Sequence, residues 1–581
     1  MTCREKILSE NYQDFISGYL LPETVSENAD GDVFCAQQVS ERLWSVYYNR
    51  ALLPPLSFSD YNYRYVTELY GLMDAFVPEA VEQRFDPQPL LHSGILAAQR
   101  EPLTLTGRNV ILGFADTGID YQNPVFRRAD GSSRIRAIWD QTIQTGTPPE
   151  GFFYGSEYTN AQINRALETE NPLEMVPVTD EIGHGTAMAS AAAGSELNGG
   201  LDFAGAAPDA ELVVVKLKPA KQFLRSFYML PDEVPAYELN DILLAVKYLL
   251  SFREVYRNPL VICLGIGRSF GGHQGETVLE QYLSDISREV NSVAVVAGGN
   301  EGNTAHHFSA AAGEREMIEA ELRITEGTRG LLMEIWGNVP DPYEVSILSP
   351  AGEVTPALSS RLNGQWEYEF IYGNTRLRLD FQRNDQMTGS EVTVLRLEDP
   401  VPGIWTIRLR QDGRNGQGTF LLWLPVQQFL DGTAEFLMPD PDDTLTAPSY
   451  ASAVLSVTAY DSRNDSFLIS SGRGFGLGGR KKPELAAPGS DISAAVGKLG
   501  GRTLVGNVTG SSMAAAIAAG ACAQLMQWAV TDGNYQDING VGIKSFLVRG
   551  TAREENIRYP NPQWGFGRLD LEGTFEWIAG R

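Results

Sequence analysis

At 581 residues the chain is too long for one small core, and two or three domains are expected. Its hydrophobic fraction of 43% marks an ordinary globular protein and excludes a disordered or fibrous one. With 46 Lys and Arg against 73 Asp and Glu, the net charge of −27 repels phosphate backbones and anionic lipid, so no nucleic-acid partner is expected.

The first residues, Met1 to Lys6, carry mixed charge with no apolar stretch behind them. No signal peptide and no membrane span are expected. The four cysteines (Cys3, Cys35, Cys263, Cys522) lie far apart without metal-ligand spacing. Cys263 and Cys522 read as small buried hydrophobes, and a reducing, cytoplasmic setting fits. Residues 1–80 form a separate small α+β unit. It holds a strand candidate at Arg42 to Tyr48 and the Tyr-rich run Tyr61 to Tyr70. A proline-bearing segment (Pro78, Pro87, Pro89) follows. Such a unit with an extended tail is either a binding module or a pro-segment.

From residue 85 the pattern becomes α/β. Asn109 to Ala115 reads as a buried strand with Asp116 at its carboxyl end, where ligand chemistry collects in open parallel sheets. A lone Asp there also fits a turn. Residues 130–180 read as loop and short helix, including Ile138-Trp139-Asp140. His184 then sits between two glycines at the start of a small-residue helix. It is one of only five histidines in the chain. Strands at 211–217, 260–264 and 293–297 alternate with helices at 241–250 and 278–290. This βαβ rhythm predicts a doubly wound parallel sheet over 85–311. The last strand runs into Gly298-Gly299-Asn300-Glu301.

Between 312 and 435 the helical period disappears. Short alternating segments separated by turn pairs such as Asn363-Gly364 and Asp412-Gly413 predict an inserted all-β jelly roll or sandwich. The tryptophans Trp336, Trp366 and Trp405 read as core residues rather than sugar platforms. Over 440–581 the α/β pattern resumes. Leu504 to Thr509 reads as strand or loop, and Ala514 to Gln527 as a helix rich in alanine. Gly510-Ser511-Ser512-Met513-Ala514 joins them. Ser512 thus lies at a helix N-terminus, where unpaired N–H groups and the positive end of the dipole suit a nucleophile that creates an oxyanion.

Acyl transfer is the chemistry that uses all of these groups. A serine needs a base, and the base needs a carboxylate to fix its tautomer. The oxyanion needs two donors, which the Ser512 N–H and the Asn300 amide can supply. The order Asp, His, Ser, in Ala115-Asp116-Thr117-Gly118, Gly183-His184-Gly185-Thr186 and Gly510-Ser511-Ser512-Met513-Ala514, resembles the subtilisin-like serine proteases, or subtilases. The layout is similar to the Csp-type subtilases of clostridia. The segment Leu69 to Asp74, Ile138 to Gln141, Asn240 to Tyr248 and the β insertion carry that likeness.

The resemblance implies a serine endopeptidase with catalytic Asp116, His184, Ser512 and Asn300. It implies a protein or peptide substrate that pairs with Gly265, Ile266 and Gly267 as an added strand. It also implies a prodomain in residues 1–80 that is cut within about 66–86 and stays in the active-site cleft. A monomer is expected, with a spore-associated or cytoplasmic place and a role in activating a cortex-lytic proenzyme during germination. The resemblance requires no cofactor, and no metal motif is present.

Ser511 stands where Thr is commoner, and Ala516-Ile517 where most subtilases have Pro and His. Gly265 replaces a serine, which would widen the S1 entrance. Glu301 beside Asn300 would favour a basic or polar P1 residue, the one before the cut bond. His273, His306 and His307 read as surface or loop histidines. Two alternatives stay open: a catalytically silent subtilase scaffold, and another serine hydrolase. An α/β-hydrolase would run Ser, Asp, His and carry GxSxG.

Overall fold

The computed structural model describes every residue except 19–30, 59–65, 74–83, 313–316, 338–341, 362–363, 383–387, 412–417, 477–478, 500 and 581; the side chains of Tyr256, Ala312 and Leu499 are also outside it. The cleavage window of 66–86 and the two turn pairs named above fall partly or wholly outside the described residues.

Continuous apolar runs become central strands when both faces are covered. Among the described residues, the inner strands of a nine-stranded sheet follow this rule. Its parallel centre runs Leu455–Asp461, Ser292–Ala297, Leu260–Leu264, Ile111–Asp116, Glu211–Lys216 and Ile135–Asp140. Leu485–Pro488 pairs parallel to Leu455–Asp461. Ser466–Phe467 and Ser156–Thr159 close the two ends antiparallel.

Alternation sorts each strand between two cores. Leu112, Phe114 and Cys263 face the layer that holds helices His184–Ala193 and Ser511–Met526. Ile111, Ala115 and Ile262 face helices Leu239–Tyr256 and Val278–Arg288. The Ser511–Thr531 stretch is apolar and long enough to cross a membrane, but 89% of its most apolar window is buried inside the protein.

Small residues let the two upper helices touch. A Cβ on Gly520 would run into the Cβ of Ala206 and lie 2.9 Å from the Ala192 carbonyl. The alanine run is therefore a packing requirement as well as a helix preference.

Ile135–Asp140 corrects the sequence reading, which placed loop and short helix there. The strand was disguised by Arg134 and Arg136. Arg134 is buried and donates to the carbonyls of Val125, Ala193 and Ala210. Arg136 reaches the Glu211 carboxylate at 2.6 Å. Tertiary partners, invisible in the local pattern, make these cations compatible with a central strand.

The N-terminal residues form helix Cys3–Leu8 and a three-stranded antiparallel sheet with Trp44–Asn49 in the middle, between Tyr12–Ser17 and Phe34–Gln38. Cys3 and Cys35 are joined as a disulfide, a pairing that sequence spacing did not reveal and that the reducing-compartment reading did not anticipate. Ile7, Tyr12 and Tyr47 share a core with Leu243 and Tyr154 of the large α/β body.

The described residues of 307–436 build two antiparallel sheets of six and five strands. Leu322, Met333, Ile347, Leu395 and Trp405 lie in a core common to both.

Candidate active site

Asp116 is the last residue of its strand, and His184 the first of its helix. The turn into that helix needs Gly183, whose φ of +83° is open to glycine. Asp180 caps the helix. It accepts the N–H groups of Gly183 and Thr186, each at 2.8 Å, and the Thr186 hydroxyl at 2.7 Å.

His184 Nδ1 lies 2.7 Å from Asp116 Oδ1, with both side chains buried. A carboxylate accepts, so the imidazole donates from Nδ1 and turns Nε2 into its basic end. The Thr117 N–H also donates to Asp116 Oδ1, at 2.7 Å. Gly185 lacks a Cβ because one would strike the Gly118 carbonyl, and its N–H instead reaches Thr117 Oγ1 at 2.9 Å.

Ser512 is the second residue of helix Ser511–Met526 and is fully buried. Its neighbour Ser511 ties the helix start to the end of strand Ser292–Ala297. Ser511 Oγ accepts from the Gly299 N–H at 3.1 Å, and the Ser511 N–H donates to Asn300 Oδ1 at 3.0 Å. The second bond fixes the Asn300 amide by its oxygen, so its NH₂ is the donor end. Asp116–His184, Ser512 and Asn300 thus stand at strand ends or helix starts of one α/β body.

Gly265, Ile266 and Gly267 pair with a distant stretch of the chain. Leu69–Leu72 runs antiparallel to Ile266–Gly267 on one side and to Ala236–Glu238 on the other. The Met73 N–H continues the ladder to the Gly265 carbonyl at 2.7 Å.

Two expectations about this rim change. A Cβ on Gly265 would meet the Met188 sulfur and lie 2.9 Å from His184 Cε1, so this glycine makes room for the histidine rather than widening S1. Glu301 is buried, 3.1 Å from His306 Nδ1, and accepts the Gln427 N–H at 3.2 Å.

His273, His306 and His307 are buried, not surface residues. The Trp423 ring stacks between His273 and His307, with centroid distances of 4.0 and 4.9 Å. This joins the β insertion to the α/β body. Burial pushes His273 down to about 3 and His307 down to about 4. Both are neutral in the fold, whereas the unfolded chain takes up protons below about 6.5. Their contribution is therefore complete above pH 6.5 and is lost on acidification, by roughly 2 kcal/mol each at pH 5. Chemical unfolding at pH 7 and pH 5 measures this. The His273→Gln/His307→Gln variant should lose much less stability between those pH values than the wild type. Equal losses would show that the stack does not carry the effect.

Several contributors had been missed. Asp180 was legible as an Asp four residues before the histidine. Thr446 and Gln428, described below, gave no local signal.

The subtilase family model (peptidase S8) matches residues 107–321 and 438–567. The chain belongs to the subtilase family, whose members are serine proteases. A Csp-type relationship is supported by the solved CspB protease of Clostridium perfringens, similar at 28% identity and a TM-score of 0.75, covering 85% of this chain and all of that one. Patellamide maturation protease PatA is more distant, at 14% identity and a TM-score of 0.40, covering 81% of this chain and 98% of its own. Fervidolysin from Fervidobacterium pennivorans stands at 11% and 0.48, covering 97% of this chain and 61% of its own. No curated protein matches. The enzyme is a subtilisin-like serine endopeptidase acting on protein substrate.

Proposed function

We propose that the chain cleaves peptide bonds through Asp116, His184 and Ser512, cuts off its own N-terminal unit, and then activates a protein by limited proteolysis. The buried 2.7 Å contact between His184 Nδ1 and Asp116 carries this reading. Asp116 holds the tautomer, His184 Nε2 takes the Ser512 proton and later delivers it to the leaving amine. The Ser512 N–H and the Asn300 NH₂ stabilise the oxyanion. Residues 1–80 act as a prodomain that remains docked, with its tail in the cleft. The two-sheet insertion 312–435 is a jelly roll that braces the cleft. The Csp-type likeness points to a spore cortex-lytic proenzyme as substrate, in a spore-associated setting.

The filled cleft favours one second reading, a silent scaffold with a permanently seated tail. Intact mass of the purified wild type beside Ser512→Ala separates the two. An active enzyme gives a fragment of about 70–85 residues plus the remainder, while Ser512→Ala stays whole. Two whole chains would support the scaffold.

A further inference from the structure

Resting on the reading that Leu69 to Met73 is the enzyme's own seated substrate, we propose that this protease cuts after a Gly-x-Met segment. It takes a slim unbranched apolar residue at P1, and the β insertion obliges glycine at P3, two residues before it. The ladder fixes the register: Leu72 faces Ile266, Gly71 faces Gly267, and Met73 donates to Gly265. Met73 is therefore P1, Leu72 P2 and Gly71 P3, and the bond cut is the one on the carboxyl side of Met73.

The P1 slot is narrow and weakly polar. Met73 is buried, and its sulfur accepts the Thr446 hydroxyl at 3.2 Å. A Cβ on Gly267 would sit 2.5 Å from that hydroxyl oxygen and 3.0 Å from the Met73 sulfur, and one on Gly299 would sit 2.8 Å from Thr446. Two glycines thus hollow the slot and a threonine closes it. Methionine, unbranched and polarisable, fills such a gap. A lysine there would bury an ammonium against one hydroxyl, since the Glu301 carboxylate already accepts the Gln427 N–H and the Thr304 hydroxyl.

The P3 position is covered from above. The short helical turn Gln427–Phe429, which follows the last strand of the six-stranded sheet, lies over the seated segment. Gln428 Nε2 donates to the Leu72 carbonyl, a grip on the main chain that any sequence can satisfy. A Cβ on Gly71 would lie 2.6 Å from that same nitrogen and 3.1 Å from the Phe429 ring. Phe429 is packed in the core and would have to give by a few tenths of an ångström, and Gln428 can swing aside only by releasing the Leu72 carbonyl.

The test uses the full chain and the masses of its self-cleavage products over time. Wild type should give residues 1–73 and the remainder. Gly71→Val should slow the cut roughly a hundredfold through misplacement of the strand, and Met73→Lys comparably. Met73→Leu, branched where methionine is not, should be slowed, but by less than Met73→Lys. Gly71→Ala should be slowed, and Gln428→Gly should restore part of its rate, because it removes the obstructing atom. Thermal melting identifies any slow variant that has merely failed to fold. A wild type split at another bond leaves the protease reading intact and overturns this one. Gly71→Val cutting at the wild-type rate overturns the glycine requirement. A wild type as whole as Ser512→Ala removes the reading beneath.

Discussion

His184→Ala is expected to reduce self-cleavage about a millionfold, which leaves the chain whole, and Asp116→Asn to reduce it about ten-thousandfold. The two differ because they remove different things. In the proposed mechanism the imidazole is the base that takes the Ser512 proton, and alanine leaves none. With asparagine the imidazole survives, but the group facing Nδ1 no longer demands a proton from it, and the basic nitrogen can turn toward the wrong partner. The burial of both side chains raises the effect, since no water replaces the lost carboxylate. Single-turnover cleavage followed by intact mass measures the rates. Either variant within tenfold of wild type would take that residue out of the chemistry.

Lys221→Met is expected to cost about 3–5 kcal/mol and to release the N-terminal unit. Lys221 is buried at the junction, where Nζ meets the Asp14 carboxylate and donates to the Tyr12 carbonyl at 3.0 Å. Glu238 and Asp241 lie close by, and Lys218 meets Asp241 at 2.6 Å. Three acids thus share two lysines. Burial pushes the Asp14 carboxyl well above its usual range, with Lys221 opposing the rise. Removing Lys221 strands a buried acid, whereas Asp14→Asn/Lys221→Met removes both charges and should cost less. Size-exclusion chromatography of the cleaved protein reads retention of the N-terminal fragment. Full retention in Lys221→Met would show that apolar contacts such as Tyr47 with the large body suffice.

Much of the architecture was open to inspection in the chain itself. Val261 to Leu264 and Val293 to Ala297 announce buried parallel strands because a strand covered on both faces has no polar side to display. Asp116, His184, Asn300 and Ser512 stand out because strand ends and helix starts are marked locally, by glycines and by a change of hydrophobic period. A tight turn or a close helix crossing admits few residues.

What the tertiary structure decided is everything that depends on a partner distant in sequence. Ile135–Asp140 is a strand because far-off carbonyls and Glu211 satisfy its flanking arginines. Three histidines are interior because Trp423, Glu301 and backbone carbonyls receive them. Cys3 meets Cys35 only once a helix lies on its sheet. The room for a side chain at Gly71 is limited by Gln428, more than three hundred and fifty positions away. Local propensity is written in neighbouring residues, but packing, charge compensation and substrate selection depend on atoms that meet only when the chain has closed on itself.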